Sequence, residues 1–365
     1  MTIPKVGIQF QNAQLGRVDD PGAGAPGLIV VMTSSPTGHA FGDVKAYSLF
    51  DDLPTELQAI EGVKLFFAEA PGYTVYIMPV PDTAEVDDIL DPQAATPYAR
   101  NLIEANDNIR FIGVVNKVVA LTDIASAGTN GKALRAYFEP LYRYIRIFVG
   151  VAYNAALPDL GEADYTATGF IVCPAADEVG LFIARRAKTR VQRNAGRVKD
   201  GALVISATEL QSGTPLEDDM DLVEEVFDKR YISLRTYVGK SGYYFTDDPL
   251  AVSSTDDYAN DTDRAVIDKA AIIAYGVYVN EINDDIETDE DGTISTTAAK
   301  ELQGIIENAI NQAMTANEEI SSASAFVDDT QNIVSTNKVE VVLKIVKKGY
   351  LKEITVKLGF QAPTA

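Results

Sequence analysis

Residues 53–80 read LPTELQAIEGVKLFFAEAPGYTVYIMPV, a helical stretch that gives way to a short apolar strand. The same exchange recurs on both sides of it. GLIVVMT (27–33) comes before; ATPYARNLIEAN (95–106), helical, and IRFIGVVNKV (109–118), strand-like, come after. YIRIFVGVAY (144–153), GFIVCPA (169–175) and ALVISAT (202–208) continue the series. Short apolar strands separated by helices of about ten or more residues specify α/β organisation around a largely buried sheet. This reading covers residues 27–250.

Outside that region the texture differs. Val6, Ile8 and Phe10 alternate with Gly7, Gln9 and Gln11, the period of a half-buried strand, and DDPGAGAPG (19–27) follows as a break. Residues 1–26 therefore read as a strand on a tether. A lone strand is not stable, so it must pair with a distant part of its own chain or with the sheet edge of another molecule. An ordinary first strand of the domain satisfies the same pattern.

Near Thr262 the pattern becomes helical: DRAVIDKAAIIAYGVYVNEI (263–282) and TTAAKELQGIIENAINQAMTAN (296–317) each read as a helix. The second carries Leu302, Ile305, Ile306, Ala309, Ile310 and Ala313 on one face, and the first is expected to bury Ile267, Ala270, Ala271, Ala274 and Tyr278. Val339, Val341, Leu343 and Ile345 then alternate, KKGY (347–350) is read as a turn, and Ile354, Val356, Leu358 and Phe360 alternate again. The expectation is an α+β domain over 251–350 that ends in a hairpin, with 351–365 as a last strand or arm. The terminal pair holds Lys338, Lys344, Lys347, Lys348, Lys352 and Lys357 against Glu340 and Glu353, in a chain whose net charge is −22.

With 365 residues, 46% of them hydrophobic, the chain can bury a sizeable core. Its 53 acids against 31 bases argue against nucleic acid and anionic membrane as partners unless bases cluster locally. Cys173 is the single cysteine, which excludes an intramolecular disulfide framework and a Cys-rich metal site. The sequence shows neither a signal-peptide pattern nor an apolar run of membrane-spanning length, so a soluble protein without membrane insertion is expected.

Motifs for chemistry are sparse. The single histidine, His39, sits in SSPTGHAFG, and any Ser-His-Asp or Cys-His site would have to use it. Cys173 lies inside the apolar run FIVCP and reads as an inert buried thiol. VGKSG and TNGKA contain GK, but Leu234 and Ser126 stand where a P-loop needs glycine. ETDEDGTIST (287–296) follows part of a calcium-loop pattern through Asp289, Asp291 and Gly292, yet Ala298 occupies the place of the bidentate glutamate. No cofactor, metal or catalytic residue is expected.

Charge is more informative. ARRAKTRVQRNAGRVK (184–199) holds seven bases and no acid, and PLEDDMDLVEEVFD (215–228) holds seven acids and no base. Two solvated faces explain this. Pairing between Arg185, Arg186, Arg190, Arg193 and Asp218, Asp219, Glu224, Glu225, within a subunit or across a contact, is the functional alternative.

GKSGYYFTDDPLAVSSTDDYANDTDRAVIDKAAIIAYGVYVNEI (239–282), together with the later helix and the basic strands, resembles the C-terminal part of contractile phage tail sheath proteins. The stretch from GLIVVMT to GFIVCPA resembles the middle of the same family. The resemblance implies a non-enzymatic subunit that stacks in six-membered rings around an inner tail tube and shortens to drive the tube through an envelope. Its partners would be further copies of itself, the tube protein, and baseplate and tail terminator proteins. Its location would be a virion tail assembled in the host cytoplasm.

The fold implied is an outer α/β domain inserted into an inner α+β domain formed from both chain ends, with terminal strand arms. Val6, Ile8, Phe10, Ile354, Val356 and Leu358 would then contact neighbouring subunits. Lys344, Lys347, Lys348, Lys352 and Lys357 would face acids on the tube or a neighbour, or would guard a sheet edge. A secretion-type injection machine fits equally. A different class, an α/β enzyme or small-molecule binder with a site at the strand ends of the middle domain, calls for a deep pocket around His39.

Overall fold

The computed structural model describes residues 24–352, 354–356 and 358, which fall into two compact units that divide between Val279 and Asn280. Val6, Ile8, Phe10, Lys357 and Phe360 lie outside the described residues.

In the first unit the order is β1 (Ala25–Met32), β2 (Lys45–Tyr47), α1 (Thr55–Gln58), α2 (Glu61–Glu69), β3 (Val75–Pro81), α3 (Val86–Leu90), α4 (Tyr98–Glu104), β4 (Ile109–Val119), α5 (Ile124–Phe138), β5 (Arg146–Val151), β6 (Thr168–Val172) and α6 (Asp177–Lys188). It continues with α7 (Met220–Asp228), β7 (Leu234–Tyr237), β8 (Lys240–Phe245) and α8 (Asp261–Tyr278). Six strands form one sheet in the order β2-β3-β1-β4-β5-β6, with β2 antiparallel on the edge and all other neighbours parallel. β1 is central and buried along its whole length, which is why GLIVVMT reads as an unbroken apolar run and not as an alternation.

Helices cover both faces. Gly27 of β1 stands beside Ile112 of β4 and meets Leu102 of α4, whereas the next residue of β4, Gly113, faces Val179 and Ile183 of α6. α6 in turn crosses α2 very closely: a Cβ on Gly180 would lie 2.0 Å from the carbonyl oxygen of Gly62. Glycine at both places lets the two backbones touch.

ALVISAT (202–208), expected as a strand, is irregular. Its backbone is satisfied outside any sheet: Leu203 N–H donates to the carbonyl of Tyr243, and Val204 N–H donates to Glu69 Oε2 at 3.1 Å. These bonds compete successfully with strand pairing. The antiparallel pair β7–β8 is a strand pair that the sequence reading did not single out.

α8 also departs from expectation. Its first ten residues are buried nearly all round, including Asp261, Asp263, Arg264, Asp268 and Lys269, whereas Ile267, Ala271, Ala274 and Tyr278 are only half-buried. Ion pairs explain the reversal. Arg146 Nη1 stands 2.8 Å, and Arg186 Nε 2.6 Å, from the Asp261 carboxylate, and Arg135 holds Asp268 bidentately at 2.7 and 2.9 Å. Charges enter a protein interior when they are paired in this way.

The second unit holds α9 (Thr296–Ile310), β9 (Ile320–Val327), α10 (Ile333–Thr336) and β10 (Val341–Lys347). Ser295 caps α9, its hydroxyl accepting from Ala298 N–H at 3.2 Å, and α9 runs on into a π-turn over Asn311–Thr315. The α9 face read from sequence is observed: Leu302, Ile306 and Ile310 are buried, with Met314, Ile320 and Val327 completing a small core.

The partner of β10 differs from the expected hairpin. β10 pairs antiparallel with β9, Val341 opposite Val327 and Val346 opposite Ser322, and the described residues after Gly349 belong to no strand. β9, ISSASAFV, is poor in large apolar residues, so the sequence signal for a strand there is weak.

Candidate assembly interface

The places where chemistry was sought are closed. His39 is buried; its Nε2 lies 3.0 Å from the carbonyl of Asp43 and its Nδ1 3.2 Å from the Tyr47 hydroxyl, and burial lowers its pKa. Burial pushes the Cys173 thiol far above its usual range, and its Sγ contacts the Ile171 carbonyl. The chain reverses its direction of sheet growth between β1 and β4, the point where such sheets take ligands. Side chains fill that crevice: Asn116 Nδ2 donates to the Val31 carbonyl at 2.7 Å, and Lys117 Nζ to the carbonyls of Asp82 and Ala84 at 2.9 and 2.8 Å.

A cleft of about 360 Å³ lies instead beyond the end of β6, lined among others by Glu61, Asp177, Glu178, Thr208 and Glu209. Burial raises the Asp177 and Glu178 carboxyls, and Glu178 accepts from the Thr208 hydroxyl at 2.8 Å. Among the described residues no cluster of three or more His, Cys, Asp or Glu could hold a metal ion, and no helix is long and apolar enough to cross a membrane.

The two charged segments find partners elsewhere. Arg185 Nε sits 2.8 Å from Glu69, with Lys188 on the same carboxylate, and Arg186 is bound to Asp261. Arg193 pairs with Asp200 at 3.4 Å. On the acidic side Glu225 pairs with Lys229 at 2.8 Å and the buried Asp219 accepts from Gln211, while Asp218 and Glu224 are exposed, as is Arg190. Arg185 and Arg186 thus bind the α/β unit together internally.

Apolar surface remains uncovered on the β9–β10 ribbon, as it does at Leu49, Leu141, Val238, Ile282 and Val334. The pairing sets Phe326, Ser324 and Ser322 beside Val342, Lys344 and Val346 on one face. Phe326, Val342 and Val346 on that face are 55%, 50% and 54% exposed. The other face, with Leu343, Ile345, Ala323 and Ala325, is half-buried. Lys347 and Lys352 are exposed and Lys348 half-exposed. Leu351, Ile354, Val356 and Leu358 are between 69% and 93% exposed.

Comparison with known proteins places this geometry. The N-terminal domain of DUF2586 matches residues 3–249, and the C-terminal domain of DUF2586 matches 257–365. No curated protein matches the sequence. Among solved structures, the helical sheath of the anti-feeding prophage in its contracted state is similar, with 14% identity and a TM-score of 0.61 over 98% of this chain and 99% of that one. A chain of the anti-feeding prophage baseplate is similar with 13% identity and a TM-score of 0.60, over 99% of this chain and 100% of that one. The sheath tail protein of Desulfitobacterium hafniense has 10% identity and a TM-score of 0.53, over 94% and 100%. The resemblance read in residues 239–282 is matched by fold along nearly the whole chain.

Proposed function

The chain belongs to the DUF2586 family, and we propose that it is the structural subunit of a contractile sheath, in a phage tail or a related injection particle. It stacks as six-membered rings around an inner tube and shortens to drive that tube through an envelope. The observation that carries the reading is the near full-length likeness of fold to the contracted anti-feeding prophage sheath. In this reading it is not an enzyme. The drive comes from the difference between two lattice packings, which needs no nucleotide.

The 27–250 region is the outer domain, and 251–350 with the chain ends is the inner one. Val6, Ile8 and Phe10, and Ile354, Val356 and Leu358, from neighbouring subunits add strands to that inner domain. Strand addition supplies backbone hydrogen bonds whose number does not depend on subunit orientation, so the lattice stays linked while subunits swing. The exposed apolar residues of the ribbon and of the 351–358 segment support this reading. Lys344, Lys347, Lys348, Lys352 and Lys357 face acids on the tube or a neighbour. Such exposed contacts are individually weak, which suits an interface that must let go.

Negative-stain electron microscopy of the purified protein, alone and with its tube partner at low and high salt, tests the reading. Hollow striated cylinders with six-fold end views are expected. Monomers that persist under every condition, tube included, overturn it.

A further inference from the structure

β2 is short for the sheet edge it closes. It pairs with β3 through Lys45, Ala46 and Tyr47 only, opposite Ile77, Tyr76 and Val75, and among the described residues no strand lies on its other side. One further backbone bond, from Gly42 N–H to the Pro79 carbonyl at 2.9 Å, extends the pairing. So short a strand needs support from outside the ladder.

His39, 1% exposed, supplies it from the loop that precedes the strand. Its Nε2 lies 3.0 Å from the carbonyl of Asp43, just ahead of β2, and its Nδ1 lies 3.2 Å from the hydroxyl of Tyr47, the last residue of β2. A carbonyl only accepts, so Nε2 carries the hydrogen, and in the neutral ring Nδ1 accepts from the Tyr47 hydroxyl. The loop fixes the histidine in turn: Ser35 Oγ donates to the His39 carbonyl at 3.1 Å, and His39 N–H donates to the Pro36 carbonyl at 3.1 Å.

A second proton is poorly served at this place. It puts a hydrogen on Nδ1, so the Tyr47 hydroxyl must turn and donate elsewhere. It also leaves a cation buried near the Lys45 ammonium, which is itself bound to the Gly38 carbonyl. Asp43 favours the cation through its carbonyl and its charge, but burial outweighs it. Glu56 of α1 reaches the loop and is engaged there by the N–H and hydroxyl of Thr37, at 3.3 and 2.7 Å. β3 brings Tyr76, whose hydroxyl accepts from Asn106 at 2.7 Å.

We propose that His39 is an acid-opened latch: its neutral ring clasps both flanks of β2, and its protonation releases the strand and bares the edge of β3. The closed form binds the proton less well than the open one. The hold is therefore complete above the ordinary histidine value of about 6.5 and weakens as pH falls through and below it. A bared β3 edge is a template for pairing with another chain, so the latch guards the sheet at neutral pH. The latch does not depend on the sheath reading.

The test uses the full-length protein, in which His39 is the single histidine. Deuterium exchange at the imidazole Cε1, read by mass spectrometry against pH, follows that one ring. Backbone amide exchange, corrected for its intrinsic pH dependence, follows residues 43–48. We expect a Cε1 midpoint below about 6.5, and amide exchange over 43–48 that quickens as pH falls from 7 to 5. Tyr47→Phe removes the hydroxyl that donates to the neutral ring. It should raise the midpoint and quicken amide exchange at pH 7 about fivefold, the effect of roughly one net hydrogen bond. His39→Gln cannot take a charge, so the pH dependence should vanish in it. The proposal is overturned by a midpoint at or above about 6.5, by a midpoint indifferent to Tyr47→Phe, or by exchange over 43–48 that ignores pH in the parent or follows it equally in His39→Gln.

Discussion

Arg146, at the start of β5, places Nη1 2.8 Å from Oδ1 of Asp261, the first residue of α8, and neither side chain is more than 4% exposed. Arg186 of α6 closes on the other oxygen at 2.6 Å. One carboxylate thus ties α8 to a strand and to a helix of the α/β sheet, and the negative charge sits at the helix N-terminus, where the macrodipole favours it.

Replacing Asp261 by Asn should be costly, because it leaves two buried guanidinium groups without a counter-charge. A loss of about 3–5 kcal/mol is expected. Urea unfolding measures it. A triple variant, Arg146→Met, Arg186→Met and Asp261→Leu, should recover most of the loss, since it removes the charges together. Equal damage in both variants would show that the cost is one of shape.

Two glycines should respond in opposite directions. Gly180→Ala drives a methyl group into the Gly62 carbonyl and should destabilise by at least about 1–3 kcal/mol. Gly304, inside α9, has open space where a Cβ would go, so Gly304→Ala should stabilise by about 0.5–1 kcal/mol. Paired thermal melts compare them under one set of conditions.

Glu178 predicts a pH dependence. Burial raises its carboxyl above the ordinary value, only partly offset by the Thr208 hydroxyl, so the folded state holds the proton to higher pH than the unfolded one. Its contribution is fully present below the unfolded value of about 4.3 and is lost as pH rises through the folded one. Glu178→Gln does not titrate. The stability of the variant relative to the parent should therefore grow between pH 4 and pH 7, and a flat difference would contradict the assignment.

Deleting residues 1–15 should leave a folded monomer that no longer polymerises, which circular dichroism and sedimentation read separately. Unfolding would assign those residues to the protein's own core. Lys347→Glu with Lys348→Glu should weaken assembly on tube in a salt-sensitive way, and unchanged co-assembly would remove the tube contact.

The α/β core was legible because a buried parallel sheet writes itself as apolar runs such as 27–33 and 109–118. The apolar face of α9 was legible for the same reason: its period is local. The strands at 234–245 and 320–327 were not. β9 carries serine and alanine where a strand signal needs β-branched or aromatic residues. The chemistry of α8 was hidden as well: DTDRAVIDK looks like a solvated helix start, and only its long-range partners make it interior.

What the sequence determined by itself is the alternation of elements, the absence of a recognisable catalytic motif, and the apolar alternations near both termini. These depend on the order of neighbouring residues. Tertiary structure decided which strand β10 pairs with, which charges go inside, and which backbone groups of β9 the side chains of α9 satisfy. Those outcomes depend on groups far apart in the chain: Arg146 reaches Asp261 across 115 positions and Glu307 reaches Ala325 across 18. A buried charge or a sheet edge is stable only with its partner in place, and no local pattern names that partner.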